Sequence, residues 1–321
     1  MKRLVIQGLG KWGEILVKSL INSKIAKFTS AVSRNPKSIN KIAKKYQLKT
    51  YLNMSDAIND DKIDGIVLCT PHSIHSKQII DYSKYKKPIF VEKPLALKVK
   101  DAIKAVKFCK QKRILLAVGQ NRRFLPTYNY LRNILAKNKL GKILHIEANF
   151  SGPSGFRHAK SGWRSNSKES PAGGMTGKGI HMTDLMISLL GPIKSVRARS
   201  KKQFLKNNMD DTTDVNIEFK NGTTGYLSTL TATADIWRFQ VFGTLGWAEI
   251  RNENDLTIKM NYKKESKINI KKINIEKSEL ETFVKSFNKK NFPVKNSEAI
   301  ENIRLLENIN LSISKQKTIE F

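Results

Sequence analysis

Two side chains in this 321-residue chain stand where they could move a proton, Lys93 and His181. Lys93 follows the apolar run Pro88–Val91 and Glu92, and Pro94 fixes the backbone after it. A lysine at the C-terminal end of a buried strand points into a crevice, where partial burial lowers its pKa and suits it to acid–base work. A plain surface turn explains the same residues. A histidine side chain ordinarily titrates near neutrality, which suits the residue type at 181 to proton transfer. Asp184, three residues on, shares its helical face and could orient the ring; a histidine satisfied within a helix explains it too. His72 and His75 are also three apart. No carboxylate or cysteine partner completes a metal set, so they read as helix-start histidines and no metal is expected.

These groups need elements to hold them. The chain opens with Leu4-Val5-Ile6, short enough for one buried strand. Gly8, Gly10 and Gly13 follow in G-x-G-x-x-G spacing, with Lys11 and Trp12 between the last two. Ile15, Leu16, Leu20 and Ile21 then recur at helical spacing. Strand, glycine turn and helix is the context in which this spacing binds a dinucleotide. Gly8 takes the turn, Gly10 admits a pyrophosphate, and Gly13 lets helix and strand pack closely. The helix N-terminus turns free N–H groups and a favourable dipole to the phosphates.

A second strand, Phe28–Val32, ends in Ser33-Arg34-Asn35-Pro36. An Asp or Glu here would accept from a ribose 2′-hydroxyl. None is present, and Ser33 and Arg34 can instead hold a 2′-phosphate. NADP(H) is therefore the preferred cofactor, with NAD(H) still open. Asp64–Thr70 reads as a further strand, whose end places Cys69, Thr70, Pro71 and His75 along the nicotinamide side. Strand C-termini are where such sheets bind ligands.

Composition narrows the classes. Lys and Arg number 59 against 27 Asp and Glu, a net charge of +32. The lysines run the whole length, with no basic tail or aromatic platform, so no specific nucleic-acid partner is expected. Abundant Lys, Asn and Ile fit AT-rich codon usage. The charge still favours anionic ligands. Cys69 and Cys109 make no disulfide framework. No window approaches the ~20 apolar residues of a membrane span, and the N-terminus lacks a leader pattern. A cytoplasmic protein is expected.

The glycine loop, Thr70-Pro71…His75 and Glu92-Lys93-Pro94, in this order, resemble the Gfo/Idh/MocA family of NAD(P)-dependent oxidoreductases. So do Asn121-Arg122-Arg123-Phe124, Gly162-Trp163-Arg164, the run Gly173–Asp184 and Phe242-Gly243-Thr244-Leu245-Gly246. The resemblance spans nearly the whole chain. It implies an α/β protein: a doubly wound parallel Rossmann sheet over residues 1–120, then, over 121–321, an α/β domain with a large, mostly antiparallel sheet. Strand-like runs from Ile143 to Met260 agree. That second domain often forms a subunit interface, so a homodimer or homotetramer is expected.

The resemblance also implies a hydride moved between the nicotinamide and a carbon bearing a hydroxyl, on a sugar-like or polyol substrate. Lys93 would contact the reacting oxygen and His181 would carry the proton. Trp163 and Arg164 could close over cofactor or substrate, and Arg122 or Arg123 could bind polar groups. One departure stands out. The family commonly has Asp four residues before this histidine, and here Gly177 is followed by Lys178. Lys178 either brings positive charge to the site, favouring an anionic substrate, or points away while Gly177 gives room. The alternatives are a cofactor-binding sensor without catalysis and an enzyme that keeps its nicotinamide for transient oxidation.

Overall fold

The computed structural model describes residues 1–158, 168–206, 209–289 and 291–321. It separates into two compact units, Met1–Asn121 with Asn274–Ile300, and Arg122–Ile273 with Glu301–Phe321.

The first unit alternates strand and helix: β1 (Lys2–Gln7), α1 (Lys11–Ser19), β2 (Ala26–Val32), α2 (Pro36–Lys45), β3 (Lys49–Tyr51), α3 (Met54–Asp60), β4 (Gly65–Leu68), α4 (His75–Tyr82), β5 (Ile89–Glu92), α5 (Val99–Gln111) and β6 (Leu116–Gly119). The six strands run parallel in the order β3-β2-β1-β4-β5-β6. That order reverses direction beside β1, where such sheets leave a crevice for a dinucleotide. Every residue of β4, β5 and β6 is buried. This is the near-continuous apolar pattern of a sheet covered on both faces.

The sequence reading takes 121–321 as one block, whereas Asn274–Ile300 packs with the first unit. The reason is aromatic. Phe283 and Phe292 meet Phe90 with ring centroids 5.6 and 6.5 Å apart, and Phe283 meets Phe287 edge-on at 4.9 Å. A fully buried Phe or Leu contributes about 1.5–3 kcal/mol, and Leu280 and Phe283 are fully buried.

The second unit holds α6 (Pro126–Ala136), β7 (Ile143–Ser151), α7 (Ser154–His158), a π turn at Met175–Gly179, α8 (Ile180–Leu190), β8 (Ile193–Lys201), β9 (Thr212–Phe219), β10 (Thr224–Leu230), β11 (Ile236–Gly243), β12 (Gly246–Arg251), β13 (Asp255–Met260) and β14 (Ser266–Asn269). Beyond α9 (Ile275–Lys289) and α10 (Asn296–Lys315), β15 (Ile319–Glu320) returns to the sheet. The order is β14-β13-β12-β11-β7-β10-β9-β8-β15, with every pairing antiparallel except β7 with β10. One face is apolar by strict alternation: Ile146 and Ala148 on β7, Phe239 and Val241 on β11, Val215 and Ile217 on β9. α8, buried from Ile180 to Ile187, has the all-round burial of a core helix.

Candidate functional site

The glycine loop is built from the sheet outward. Gly8 has φ +100°, in the region that favours glycine, and a Cβ there would overlap the Cys69 carbonyl. A Cβ on Gly13 would overlap the Gly8 carbonyl oxygen. These two glycines are therefore demanded by protein packing. Gly10 is different: nothing lies within 4 Å of where its Cβ would be. It stands immediately before α1, and its carbonyl accepts the Glu14 N–H at 2.9 Å. An open glycine beside the first-turn N–H groups of a nine-residue helix fits a pyrophosphate approaching backbone. Lys11 is exposed and Trp12 half-buried on that first turn.

Ser33 continues from β2, and its N–H donates to the Tyr51 carbonyl at 3.0 Å. Its hydroxyl donates to the Asn35 carbonyl and accepts from the Asn35 N–H at 3.2 Å. Arg34 is exposed, and Pro36 starts α2. The turn thus presents a hydroxyl and a guanidinium with no acid beside them.

The β4 and β5 ends face this loop's elements. Cys69 donates its N–H to the Gln7 carbonyl at 2.8 Å, and the Thr70 hydroxyl donates to Gln78 at 2.6 Å. His75 is fully buried, its ring 6.0 Å from that of His72. Among the described residues no group of three or more His, Cys, Asp or Glu could hold a metal ion. Glu92 is buried, and desolvation pushes its carboxyl up to about 7. The Trp12 indole and the Lys93 charge pull the other way. Lys93 is half-buried and joined to Pro94 by a cis peptide bond. Asn121 donates to Glu276 at 2.9 Å.

In the second unit the side chains converge on Phe150, at the end of β7. The His181 ring lies 6.2 Å from it, the Lys178 ammonium 5.3 Å and the Arg122 guanidinium 5.5 Å. Lys178 therefore turns inward, onto the ring His181 also meets. Arg122 pairs with Glu253 at 2.8 Å, and Asp235 borders Gly152 beside Lys178. Asp184 accepts from Arg123 on both oxygens, at 2.6 and 2.8 Å, in a pair 95% or more buried. The spacing of Asp184 from His181 gave no sign of this partner. Trp163 and Arg164 lie outside the described residues.

The helix start is set by the π turn. Met175, Thr176 and Gly179 are buried, and the Thr176 hydroxyl donates to the Pro171 carbonyl at 2.8 Å. Asn302 of α10 secures the same place: its amide donates to the Ile180 carbonyl at 3.0 Å and its oxygen accepts from Thr183 at 2.6 Å. Phe150, Asn302 and Glu253 escape sequence reasoning. Their partners are 28 residues or more away, and none belongs to a motif.

Residues 2–120 match the model of an oxidoreductase family with an NAD-binding Rossmann fold, and residues 128–249 match the GFO/IDH/MocA C-terminal domain. The chain is 26% identical over 203 residues to glucose-6-phosphate 3-dehydrogenase of Bacillus subtilis, a match covering 62% of this chain and 57% of that protein. It is 26% identical over 255 residues to the rhizopine catabolism protein MocA of Rhizobium meliloti, covering 78% of each. The solved structure of levoglucosan dehydrogenase in complex with NADH shares the fold, with a TM-score of 0.90 at 16% identity over 99% of this chain and 98% of that one.

Proposed function

We propose, since this chain belongs to the Gfo/Idh/MocA oxidoreductases, that it moves a hydride between a nicotinamide cofactor and a hydroxyl- or carbonyl-bearing carbon of a sugar-like substrate. The observation that carries the reading is Gly10. Packing explains Gly8 and Gly13, whereas Gly10, the N-cap of α1, has open space at its Cβ position that leaves room for a pyrophosphate to approach the backbone. The residues fit the cofactor, which when bound supplies the hydride chemistry. Gly8, Gly10, Lys11, Trp12 and Gly13 hold the pyrophosphate. Cys69, Thr70, Pro71 and Glu92 line the nicotinamide side. Ser33 and Arg34 favour NADP(H) over NAD(H).

Lys93 donates to the reacting oxygen and stabilises negative charge on it. His181 carries the proton between that oxygen and solvent, as imidazole suits near neutral pH. Lys178 and Arg122 favour a substrate with an anionic group. Two buried N–H donors support this, the Arg122 Nε and the Trp237 indole, neither with a hydrogen-bond partner among the described residues. Trp237 sits directly across from Phe150 in the β7–β11 register. Oxygens of a bound substrate would satisfy donors that are otherwise costly to bury. A phosphate on the named substrate of the B. subtilis relative is in keeping. We place the protein in the cytoplasm as a homodimer or homotetramer.

Fluorescence titration with NADPH and NADH, on the wild type and Arg34→Ala, tests the cofactor reading. NADPH should bind more tightly, and the variant should lose roughly tenfold for NADPH alone, the scale of one charge-assisted contact. Equal affinities would remove the 2′-phosphate assignment. The second reading, a sensor that binds cofactor without turnover, is favoured by Gly177 standing where the family commonly has Asp. Tight NADPH binding with no turnover of neutral, carboxylated or phosphorylated sugars would select it.

A further inference from the structure

We propose that His75 ties together two strand-end loops of the first unit as a doubly protonated imidazolium, making it a positioning residue for Lys93. The ring is fully buried at the first turn of α4. Its Nδ1 lies 2.8 Å from the Pro94 carbonyl oxygen and its Nε2 lies 2.9 Å from the Thr70 carbonyl oxygen. A backbone carbonyl only accepts, so each contact needs an N–H on the ring. Neutral imidazole has one N–H, and its other nitrogen would set a lone pair against an oxygen. Only the imidazolium donates to both.

Burying that charge is costly unless it is hydrogen-bonded. Two short charge-assisted bonds offset the cost. Titratable groups nearby among the described residues include His72, whose ring is 6.0 Å away, Cys69, which precedes Thr70, and Glu92 and Lys93, which precede Pro94.

The two anchor points give the tie its consequence. Thr70 follows Cys69, on whose carbonyl Gly8 packs without room for a Cβ. The Thr70 hydroxyl is also held by Gln78, three residues beyond His75. Pro94 adjoins Lys93. One ring therefore fixes the backbone beneath the glycine loop relative to the backbone that carries Lys93. The sequence reading gave His75 to the cofactor; the geometry points both of its nitrogens at protein carbonyls. The protonation state stands by itself, and only the link to turnover rests on the proposed role of Lys93.

Long-range proton–nitrogen NMR of protein labelled in its five histidines at pH 7.5 tests the state directly. The His75 ring is identified by its loss in His75→Gln, or, if that variant does not fold, by assigning the other four. Both of its nitrogens should resonate in the protonated range. One nitrogen in the unprotonated range would overturn the proposal. Folded His75→Gln, whose donors both sit on one nitrogen where the imidazolium has them on two, should lower kcat by roughly 10–100-fold, the scale of a 1 Å misplacement, with NADPH affinity changed less than about threefold. An unchanged kcat would overturn the positioning role. If no substrate turns over, the nitrogen shifts still decide the protonation state, so the two failures are distinguishable.

Discussion

Two glycine-rich stretches each lead into a helix, Gly8–Gly13 before α1 and Gly173–Gly179 before α8, and they are used in opposite ways. In the first, the glycines shape backbone so that helix N–H groups stay available to a ligand. In the second, the π turn spends them: the Ile180 N–H donates back to the Met175 carbonyl. Gly173 has φ +54° and a Cβ there would overlap the Asp210 carbonyl, while Gly174 and Gly179 pack against Thr229 and Met175. What this stretch presents is side chains, Lys178 and His181. Each stretch has one glycine with open space around it, Gly10 and Gly177. The lesson is that a glycine pattern signals a ligand only where it leaves backbone donors unspent.

Substitutions can break or sharpen this contrast. The largest effect is expected at the pair that anchors α8. Arg123→Met leaves Asp184 as a buried carboxylate without its guanidinium, which should cost about 3–5 kcal/mol in chemical denaturation. A loss under about 1 kcal/mol would mean that the pair is not what holds the helix. Next is Gly8→Ala, where positive φ and the Cys69 carbonyl together should cost on the order of 3 kcal/mol and weaken NADPH binding in the same protein. Normal NADPH affinity would show that the loop tolerates movement there.

The first unit should also respond to pH. Folded Glu92 keeps its proton up to about pH 7, against 4.5 for an ordinary glutamate. Between those values the folded state binds more protons than the unfolded one, so stability should fall as pH rises. Glu92→Gln should flatten that slope in denaturant melts taken from pH 4.5 to 7.5. The smallest effect belongs to the open glycine of the second stretch. Gly177→Ala meets no atom and relieves backbone entropy, so it should stabilise by about 0.5 kcal/mol. A marked destabilisation would show that Gly177, like Gly8, is packed.

The same contrast explains what could be read in the sequence. The first unit's motifs are local: strand, glycine turn and helix lie within 20 residues, and Glu92-Lys93-Pro94 sits at a strand end. The alternation that set the parallel sheet was visible for the same reason. The second unit's site is assembled from distant pieces. Arg123 finds Asp184 across 61 residues, and Thr183 finds Asn302 across 119. Such pairs depend on how β7, α8 and α10 pack, which no periodicity encodes. β14 and β15 were not foreseen either, because one is polar and largely exposed and the other has two residues. The aromatic match of Phe283 and Phe292 with Phe90 likewise brings residues about 200 apart in sequence into one core.

The most direct test of the function is the absorbance of reduced nicotinamide, followed for wild type and Lys93→Ala with NADPH or NADP and a panel of neutral, carboxylated and phosphorylated sugars. The expected result is turnover of at least one anionic sugar by the wild type, reduced by roughly 10²–10⁴-fold in Lys93→Ala while NADPH affinity stays nearly constant. Turnover that survives unchanged in Lys93→Ala would contradict the assignment of the reacting group.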